Sequence, residues 1–151
     1  MSGKKSVMFL CTGNSCRSQM AEGCARHFWG EKLNVYSAGI ENHGLNPNAV
    51  AVMQEAGIDI TSQTSNTVEE LPTQKFDLVI TVCGHADENC PAFGGDTKVV
   101  HVGFDDPPKL AKEAANEEEA ALDCYRRVCG EIKAFVADWP NSLPDGSGDL
   151  L

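Results

Sequence analysis

The stretch Cys11-Thr12-Gly13-Asn14-Ser15-Cys16-Arg17-Ser18 decides the fold of this chain, because it directly follows the apolar run Val7-Met8-Phe9-Leu10. This order predicts a short strand, a tight turn and the start of a helix. A helix N-terminus exposes unpaired backbone N–H groups and carries a partial positive charge, so it forms an anion site. Gly13 permits the tight turn and Asn14 can hold it, while Arg17 adds a planar fork of donors that suits a tetrahedral oxyanion.

Cys11 lies where these donors converge, and they favour the thiolate, which is the nucleophilic form of cysteine. We therefore predict that Cys11 attacks an oxyanion bound by the loop residues Thr12, Gly13, Asn14, Ser15, Cys16, Arg17 and Ser18. The alternative is a buried structural cysteine with Arg17 in solvent. No G-x-G-x-x-G or G-K-[ST] pattern occurs here, so neither a dinucleotide loop nor a nucleotide triphosphatase loop is indicated.

Length and composition limit the domain count, the compartment and the partners that we expect for this chain. Its 151 residues suit one domain, which we assign to residues 1–139, followed by a flexible tail at 140–151. No apolar run is long enough for a signal peptide or a membrane span. Seven cysteines, an odd number, argue against a secreted disulfide framework, so we expect reduced thiols in the cytoplasm. The net charge of −10 argues against nucleic acid or an anionic membrane as a partner, and we expect a monomer.

Strands and helices alternate along the chain. We predict strands at residues 6–10, 34–38, 77–82 and 98–102, and helices at 17–29, between the N-cap Asn46 and Gly57, and at 113–138. In the first helix, Met20, Cys24 and Phe28 form a core-facing stripe. This order predicts an α/β fold, a three-layer sandwich around a four-stranded parallel sheet.

Further reactive residues fall at the carboxyl ends of the predicted strands, where ligands collect in such folds. If the first and third strands are neighbours, about 4.8 Å apart, Cys11 and Cys83 approach the separation of roughly 4.4–6.8 Å that a disulfide needs. Cys90 lies on a pliable loop that can bring its thiol to Cys83. Alternatively, Cys83, His85 and Cys90 bind zinc, although a fourth ligand is missing, or the two cysteines are core residues.

An acidic pair follows the fourth strand. Asp106 precedes a proline and is a candidate proton donor to a leaving oxygen, a role that the sequence alone allows equally for Asp105. The other histidines have no partner spacing and are interpreted as ordinary residues: His27, His43 and His101.

Together these segments resemble one family. The loop at 11–18 is similar to the signature of the low-molecular-weight protein tyrosine phosphatase fold. The segments Ser18-Gln19-Met20-Ala21-Glu22-Gly23, Tyr36-Ser37-Ala38-Gly39, Val82-Cys83 through Cys90-Pro91 and Gly103-Phe104-Asp105-Asp106-Pro107 narrow the resemblance to the thioredoxin-coupled arsenate reductases built on that fold. The similarity extends over residues 5–138.

The resemblance implies a relay of three thiols in arsenic detoxification. Cys11 would attack arsenate held by the loop and Arg17, with phosphate and sulfate as competing oxyanions, and Asp106 would protonate the leaving hydroxyl. Cys83 would then attack Cys11 and release arsenite, and Cys90 would attack Cys83 to present a disulfide to thioredoxin. Ser18 would hydrogen-bond the Cys11 thiolate and Asn14 would hold the loop, whereas Cys16 would have no part in the relay.

Some members of the family bind potassium through positions that correspond to Asn14, Glu22, Ser37 and an aspartate. The last position is Asn66 here, so we expect at most a weak potassium site and no required cofactor. Three further cysteines are interpreted as packing residues or incidental thiols: Cys24, Cys124 and Cys129.

Other functions remain open from the sequence. A phosphatase for phosphotyrosine or small phosphoesters needs Cys11, Arg17 and Asp106 but neither Cys83 nor Cys90. Such phosphatases hold a phenyl ring with an aromatic pair, which Pro108-Lys109 replaces here. A non-catalytic redox or oxyanion-binding module is a third class. For a reductase, glutaredoxin with glutathione is the alternative to thioredoxin.

Overall fold

The fold is built on the strand that precedes the cysteine loop. β1 (Lys5–Cys11) pairs in parallel with β2 (Leu33–Gly39) on one side and with β3 (Leu78–Thr81) on the other. β4 (Lys98–His101) pairs with β3, so the parallel sheet has the order β2-β1-β3-β4. The computed structural model describes residues 4–93, 95–113 and 118–144.

Both faces of the sheet are covered. Four consecutive residues of β1 have no exposed surface: Val7, Met8, Phe9 and Leu10. Because successive side chains of a strand point to opposite faces, helices must cover the sheet on both sides. On one side α1 (Arg17–Trp29) packs against α5 (Glu118–Ala137), and the Trp29 indole N–H donates to the Val136 carbonyl at 2.9 Å. The predicted α/β architecture with a four-stranded parallel sheet is confirmed.

Local signals define the first two helices well. α1 has the predicted bounds. Asn46 is the N-cap of α2 (Pro47–Glu55), and its side chain accepts hydrogen bonds from the amides of Asn48 and Ala49. Gly57, after α2, has a φ of 85°, which favours glycine. The stripe on α1 was predicted wrongly at one position, because Phe28 is 38% exposed. A 3₁₀ turn (Val68–Glu70) was not predicted.

Several predicted boundaries differ from the structure. β1 and β2 are longer than predicted, whereas β3 and β4 are shorter. The final helix predicted at 113–138 agrees with α5 over its described residues, whereas α4 (Pro107–Glu113) was not predicted, and residues 114–117 lie outside the described ranges. α4 begins early because proline suits the first position of a helix, where no amide donor is needed. The Leu110 amide donates to the Asp106 carbonyl at 3.0 Å.

The segment after β3 also differs from its prediction. The pliable loop expected between Cys83 and Cys90 contains a short helix, α3 (Gly84–Glu88), which begins directly after Cys83 and packs against β1 and β3. The backbone that follows Cys83 is therefore helical and packs against the sheet.

The C-terminal segment packs at its start. Leu143, within the predicted tail at 140–151, is buried, and Ser142 donates a hydrogen bond to the Phe135 carbonyl. Residues 145–151 of that tail lie outside the described residues. Among the helices that the structure describes, none has the length and apolar character needed to cross a membrane.

Candidate active site

The loop between β1 and α1 is held by the chain that leaves β2. The carbonyls of Cys11, Thr12 and Gly13 accept from the amides of residues 40, 41 and 43 at 2.8–3.1 Å. A Cβ on Gly39 would lie 2.7 Å from the Asn14 nitrogen and 2.8 Å from the Thr12 oxygen, so no side chain fits there. Asn14 has a φ of 48°, in a region that asparagine tolerates better than most residues. Backbone contacts therefore fix the shape of the loop.

A cavity of about 330 Å³ opens over this loop. Its lining includes most of the predicted oxyanion residues and one predicted acid: Cys11, Thr12, Gly13, Ser15, Cys16, Arg17, His43, Asp106 and Pro108. The other two predicted loop residues, Asn14 and Ser18, are fully buried. A sulfur nucleophile, an arginine and a carboxyl group thus share one cavity, of a size that accommodates a small oxyanion.

The Cys11 thiol is supported from behind. Ser18 Oγ donates to Cys11 Sγ at 3.3 Å, and Asn14 Nδ2 donates to Ser18 Oγ at 2.8 Å. Cys11 itself is only 4% exposed. Ser18 Oγ accepts the hydrogen bond from Asn14, so its own hydrogen remains available to donate to Cys11 Sγ. That hydrogen bond stabilises the thiolate form of Cys11.

The structure separates the two aspartates that the sequence left equivalent. Arg17 donates to the Phe104 carbonyl at 3.1 Å, and its guanidinium lies 3.7 Å from an Asp106 carboxylate oxygen. Asp105 instead accepts from Arg127 of α5 at 2.8 Å. Asp106 therefore lines the cavity, whereas Asp105 is engaged with the helix.

Cys83 lies beside the loop. The pairing of Leu10 with Thr81 places Thr12 opposite Cys83, and Thr12 Oγ1 lies 3.3 Å from Cys83 Sγ. The Ala86 amide of α3 also donates to this sulfur at 3.4 Å. The first and third strands are neighbours, which was the condition for this approach, and their pairing brings the second thiol to the residue adjacent to Cys11.

Cys90 is not part of this cluster. Its thiol lies 3.5 Å from the Pro91 carbonyl at the far end of α3. Burial raises the pKa of Cys90, and the negative charge of Asp87 raises it further. Cys90 is therefore a poor nucleophile in this conformation, and the structure shows Cys83 and Cys90 as separate free thiols.

A chain of hydrogen bonds runs behind the loop through the predicted potassium positions. Asn14 Nδ2 donates to Ser37 Oγ at 2.9 Å, Ser37 donates to Glu22 Oε1 at 2.5 Å, and Arg26 donates to Glu22 Oε2 at 2.8 Å. Asn14 Oδ1 is also occupied, because it accepts from the amide of Asn66 at 2.7 Å. Each of these oxygens already takes part in a hydrogen bond, and Arg26 supplies a positive charge beside Glu22.

Three cysteines that have no part in the predicted relay have raised pKa values because they are buried. Burial raises the pKa of Cys24 to about 12, and it also raises the pKa values of Cys16 and Cys129. These thiols stay protonated near neutral pH, which makes them weak nucleophiles. Within residues 4–93, 95–113 and 118–144, no group of three or more His, Cys, Asp or Glu side chains is arranged to hold a metal ion.

Two histidines lie nearer the site than the sequence indicated, which predicted His43 as an ordinary residue and offered His85 only as a zinc ligand. His43 lines the cavity and pairs with Glu41 at 2.7 Å, and His85 lies 3.2 Å from the Thr12 hydroxyl. Both follow strand ends by four residues, which is the signal that would have found them.

Known proteins resemble this chain over most of its length. The model of the family described as low molecular weight phosphotyrosine protein phosphatase matches residues 6–145. An arsenate reductase of Halalkalibacterium halodurans is 56% identical over 129 residues, which cover 85% of this chain and 90% of the relative. A solved structure of an arsenate reductase in the phosphate binding state is 36% identical, with a TM-score of 0.71, and the match covers 87% of this chain and 93% of that one. A tyrosine phosphatase of Erwinia amylovora shares the fold with a TM-score of 0.69. It is 20% identical, and the match covers 94% of this chain and 95% of that one.

Proposed function

Because the chain belongs to the low molecular weight phosphotyrosine protein phosphatase family and holds a second thiol against its oxyanion loop, we propose that it reduces arsenate to arsenite. The single observation that carries this proposal is the contact between Thr12 Oγ1 and Cys83 Sγ at 3.3 Å. A phosphatase needs no second thiol there, whereas a reductase must deliver one to the sulfur that has bound arsenic. The names of the relatives support the same activity.

The first step forms a bond between sulfur and arsenic. The Cys11 thiolate attacks arsenate held by the loop and Arg17, and one arsenate oxygen leaves as water after protonation. Asp106 lines the cavity, so its carboxyl group is placed to deliver a proton to the leaving oxygen. Arsenic remains As(V) in this adduct.

The second step transfers two electrons. The Cys83 thiolate attacks Cys11 Sγ, so a disulfide forms while the sulfur–arsenic bond breaks. The electron pair of that bond stays on arsenic, which leaves as arsenite, As(III). The two thiols are oxidised and arsenic is reduced, so the electrons balance.

The third step regenerates the nucleophile. The Cys90 thiolate attacks Cys83 Sγ, Cys11 leaves as a thiolate, and a disulfide between residues 83 and 90 remains. We propose a dithiol of the thioredoxin class as its reductant, because Cys90 is the more exposed of the two sulfurs, and a reducing compartment such as the cytoplasm as the setting.

A phosphatase is the second candidate function, and one observation favours it. Cys11, Arg17 and Asp106 line the same cavity, which is the set that phosphoester hydrolysis requires. Phosphate and sulfate share the shape and charge of arsenate, so we propose them as competitors. Among the described residues that line this cavity, however, Pro108 occupies the rim and no Phe, Tyr or Trp is present to hold a phenyl ring.

The test of the proposed function is arsenate-dependent oxidation of NADPH in the presence of thioredoxin and thioredoxin reductase. We expect continuous turnover that phosphate inhibits competitively. Hydrolysis of an aryl phosphate without any arsenite formation would instead establish the phosphatase. Replacing thioredoxin by glutaredoxin and glutathione distinguishes the two reductants.

We expect potassium to have no specific effect. The Arg26 guanidinium already neutralises Glu22, which is 7% exposed and therefore costly to leave unpaired. Replacing potassium by sodium at constant ionic strength should change kcat/KM by less than about 2-fold, since both then act only through screening. A steep rise with potassium alone would contradict this assignment.

Removal of the charge at Asp87 should speed the third step. Asp87 raises the pKa of Cys90, so the Asp87→Asn variant has a lower Cys90 pKa and more thiolate at neutral pH. The amide can still accept from the Thr81 hydroxyl, which now bonds Asp87 at 3.1 Å. Stopped-flow measurement should show the disulfide between residues 83 and 90 forming about 2- to 3-fold faster at about pH 7. An Asp96→Asn variant, on the loop before β4, is the control and should leave this rate unchanged.

A further inference from the structure

The hydroxyl of Thr12 connects Cys83 to a histidine that has no part in the steps above. Thr12 Oγ1 lies 3.3 Å from Cys83 Sγ and 3.2 Å from His85 Nδ1. A threonine hydroxyl can donate one hydrogen bond while it accepts another. The three side chains therefore form a continuous hydrogen-bonded chain from the second thiol to an imidazole.

We propose that His85 receives the proton of the Cys83 thiol through the Thr12 hydroxyl and so prepares Cys83 to attack Cys11. The inference rests on the proposed function, because it concerns the second step of that reaction. His85 acts through Thr12 and does not touch the reacting sulfur, so it is a positioning residue.

The same heavy-atom positions serve both protonation states. While the thiol is protonated, its S–H donates to Thr12 Oγ1, and the threonine O–H donates to Nδ1 of the neutral ring. After transfer, Nδ1–H donates to Thr12, and the threonine O–H donates to the Cys83 thiolate. The thiolate thus gains a hydrogen bond and a nearby cation, both of which stabilise it.

The proton is accounted for in the reaction. Cys83 gives it to His85 before the attack, and the thiolate then forms the disulfide with Cys11 while the electron pair of the sulfur–arsenic bond remains on arsenic. His85 is exposed, so its proton can pass to solvent before the next turnover. Histidine suits this role because its imidazole exchanges protons near neutral pH.

Within the described residues, the titratable side chains on the elements around His85 include those of α3 and of the strands that α3 packs against. α3 packs against β1 and β3, and the titratable side chains of those strands are Cys11 at the same end and Lys5 at the opposite end of β1. On α3 itself, Asp87 and Glu88 are the other acidic side chains.

The test isolates the second step. In a Cys90→Ser background the reaction stops at the disulfide between Cys11 and Cys83, and arsenite release is followed by rapid quench from about pH 5.5 to about pH 9. The His85→Gln variant keeps a polar side chain that cannot take up a proton. We expect it to release arsenite about 10- to 100-fold more slowly at about pH 7 and to approach the unsubstituted rate at about pH 9, where solvent deprotonates thiols directly.

A matched control exists on the neighbouring strand. Thr81 Oγ1 lies 2.9 Å from His101 Nδ1, which is a similar threonine–histidine contact that does not include the Cys83 thiol. The His101→Gln variant should have the pH profile of the Cys90→Ser background. A merely structural role of His85 would lower the rate equally at every pH, and that outcome would overturn the proposal.

The route through Thr12 is tested by a double-mutant cycle. If His85 acts through the hydroxyl, Thr12→Val and His85→Gln should have effects that are much less than additive, and Thr12→Ser should restore the pH profile. Additive effects would contradict the route. Absence of arsenite with the Cys90→Ser background itself would count against the proposed function, whereas arsenite formation with an unaltered His85→Gln profile would count only against this inference.

Discussion

The Cys83→Ser variant is expected to lose arsenate reduction, by more than about 1000-fold, as when a covalent nucleophile is removed. A serine hydroxyl is not deprotonated near neutral pH and cannot form a disulfide, so the sulfur–arsenic bond has no partner that takes its place. The structure predicts little loss of stability, because serine can keep the hydrogen bonds to Thr12 Oγ1 and to the Ala86 amide. Arsenite released per protein molecule is the quantity to measure.

The Cys124→Ser variant is the control for this loss. Cys124 lies on α5, where its thiol donates to the Ala120 carbonyl at 3.3 Å, and it has no contact with the cavity. Its activity should equal that of the unsubstituted protein. Undiminished reduction by Cys83→Ser would refute the thiol relay, and a protein that hydrolyses aryl phosphates with or without Cys83 but makes no arsenite would be a phosphatase.

The Cys90→Ser variant is expected to stop after about one turnover with thioredoxin, because the disulfide between Cys11 and Cys83 then lies in the buried cluster. Cys11 and Cys83 are only 4% and 5% exposed, so an external dithiol reaches neither sulfur readily. Arsenite released should reach about one equivalent per protein molecule and then cease, with almost no NADPH oxidised, because the disulfide that forms is not reduced. Continued turnover at more than about a tenth of the normal rate would show that the third thiol is dispensable.

Formation of the last disulfide requires α3 to change shape. Cys83 directly precedes Gly84–Glu88 and Cys90 lies two residues beyond it, and seven residue steps at the rise of an α-helix would span about 10 Å. A disulfide needs its two Cα atoms within about 7 Å, so the helix must unwind when Cys90 approaches Cys83. Unwinding this helix of five residues costs little free energy, because a helix so short has little stability of its own. The order found in α3 is therefore compatible with the mobility that the sequence suggested.

Several features could be predicted from the sequence because local interactions cause them. The apolar residues of β1, the loop from Cys11 and the start of α1 at Arg17 follow from strand burial and from the geometry of a helix N-terminus. The N-cap at Asn46 is equally local, since its side chain bonds amides two and three residues away. The alternation of strands and helices then limits the sheet to a parallel one.

Other features depend on contacts between distant parts of the chain. The sequence offered Asp105 and Asp106 as equal acids, and only the position of Arg127 on α5 engages the first and leaves the second in the cavity. The hydrogen bond from Ser37 of β2 to Glu22 of α1 likewise joins two separate elements.

The sequence by itself determined that a thiol lies at an oxyanion-binding helix start, because that site is made within one continuous segment of ten or so residues. The tertiary structure alone decided what lies beside that thiol. Thr12 stands opposite Cys83 because β1 and β3, separated by about 70 residues, pair in one register, and a shift of a single residue would turn each side chain to the other face of the sheet. Pairing between distant strands depends on the packing of the whole sheet, which no local pattern encodes.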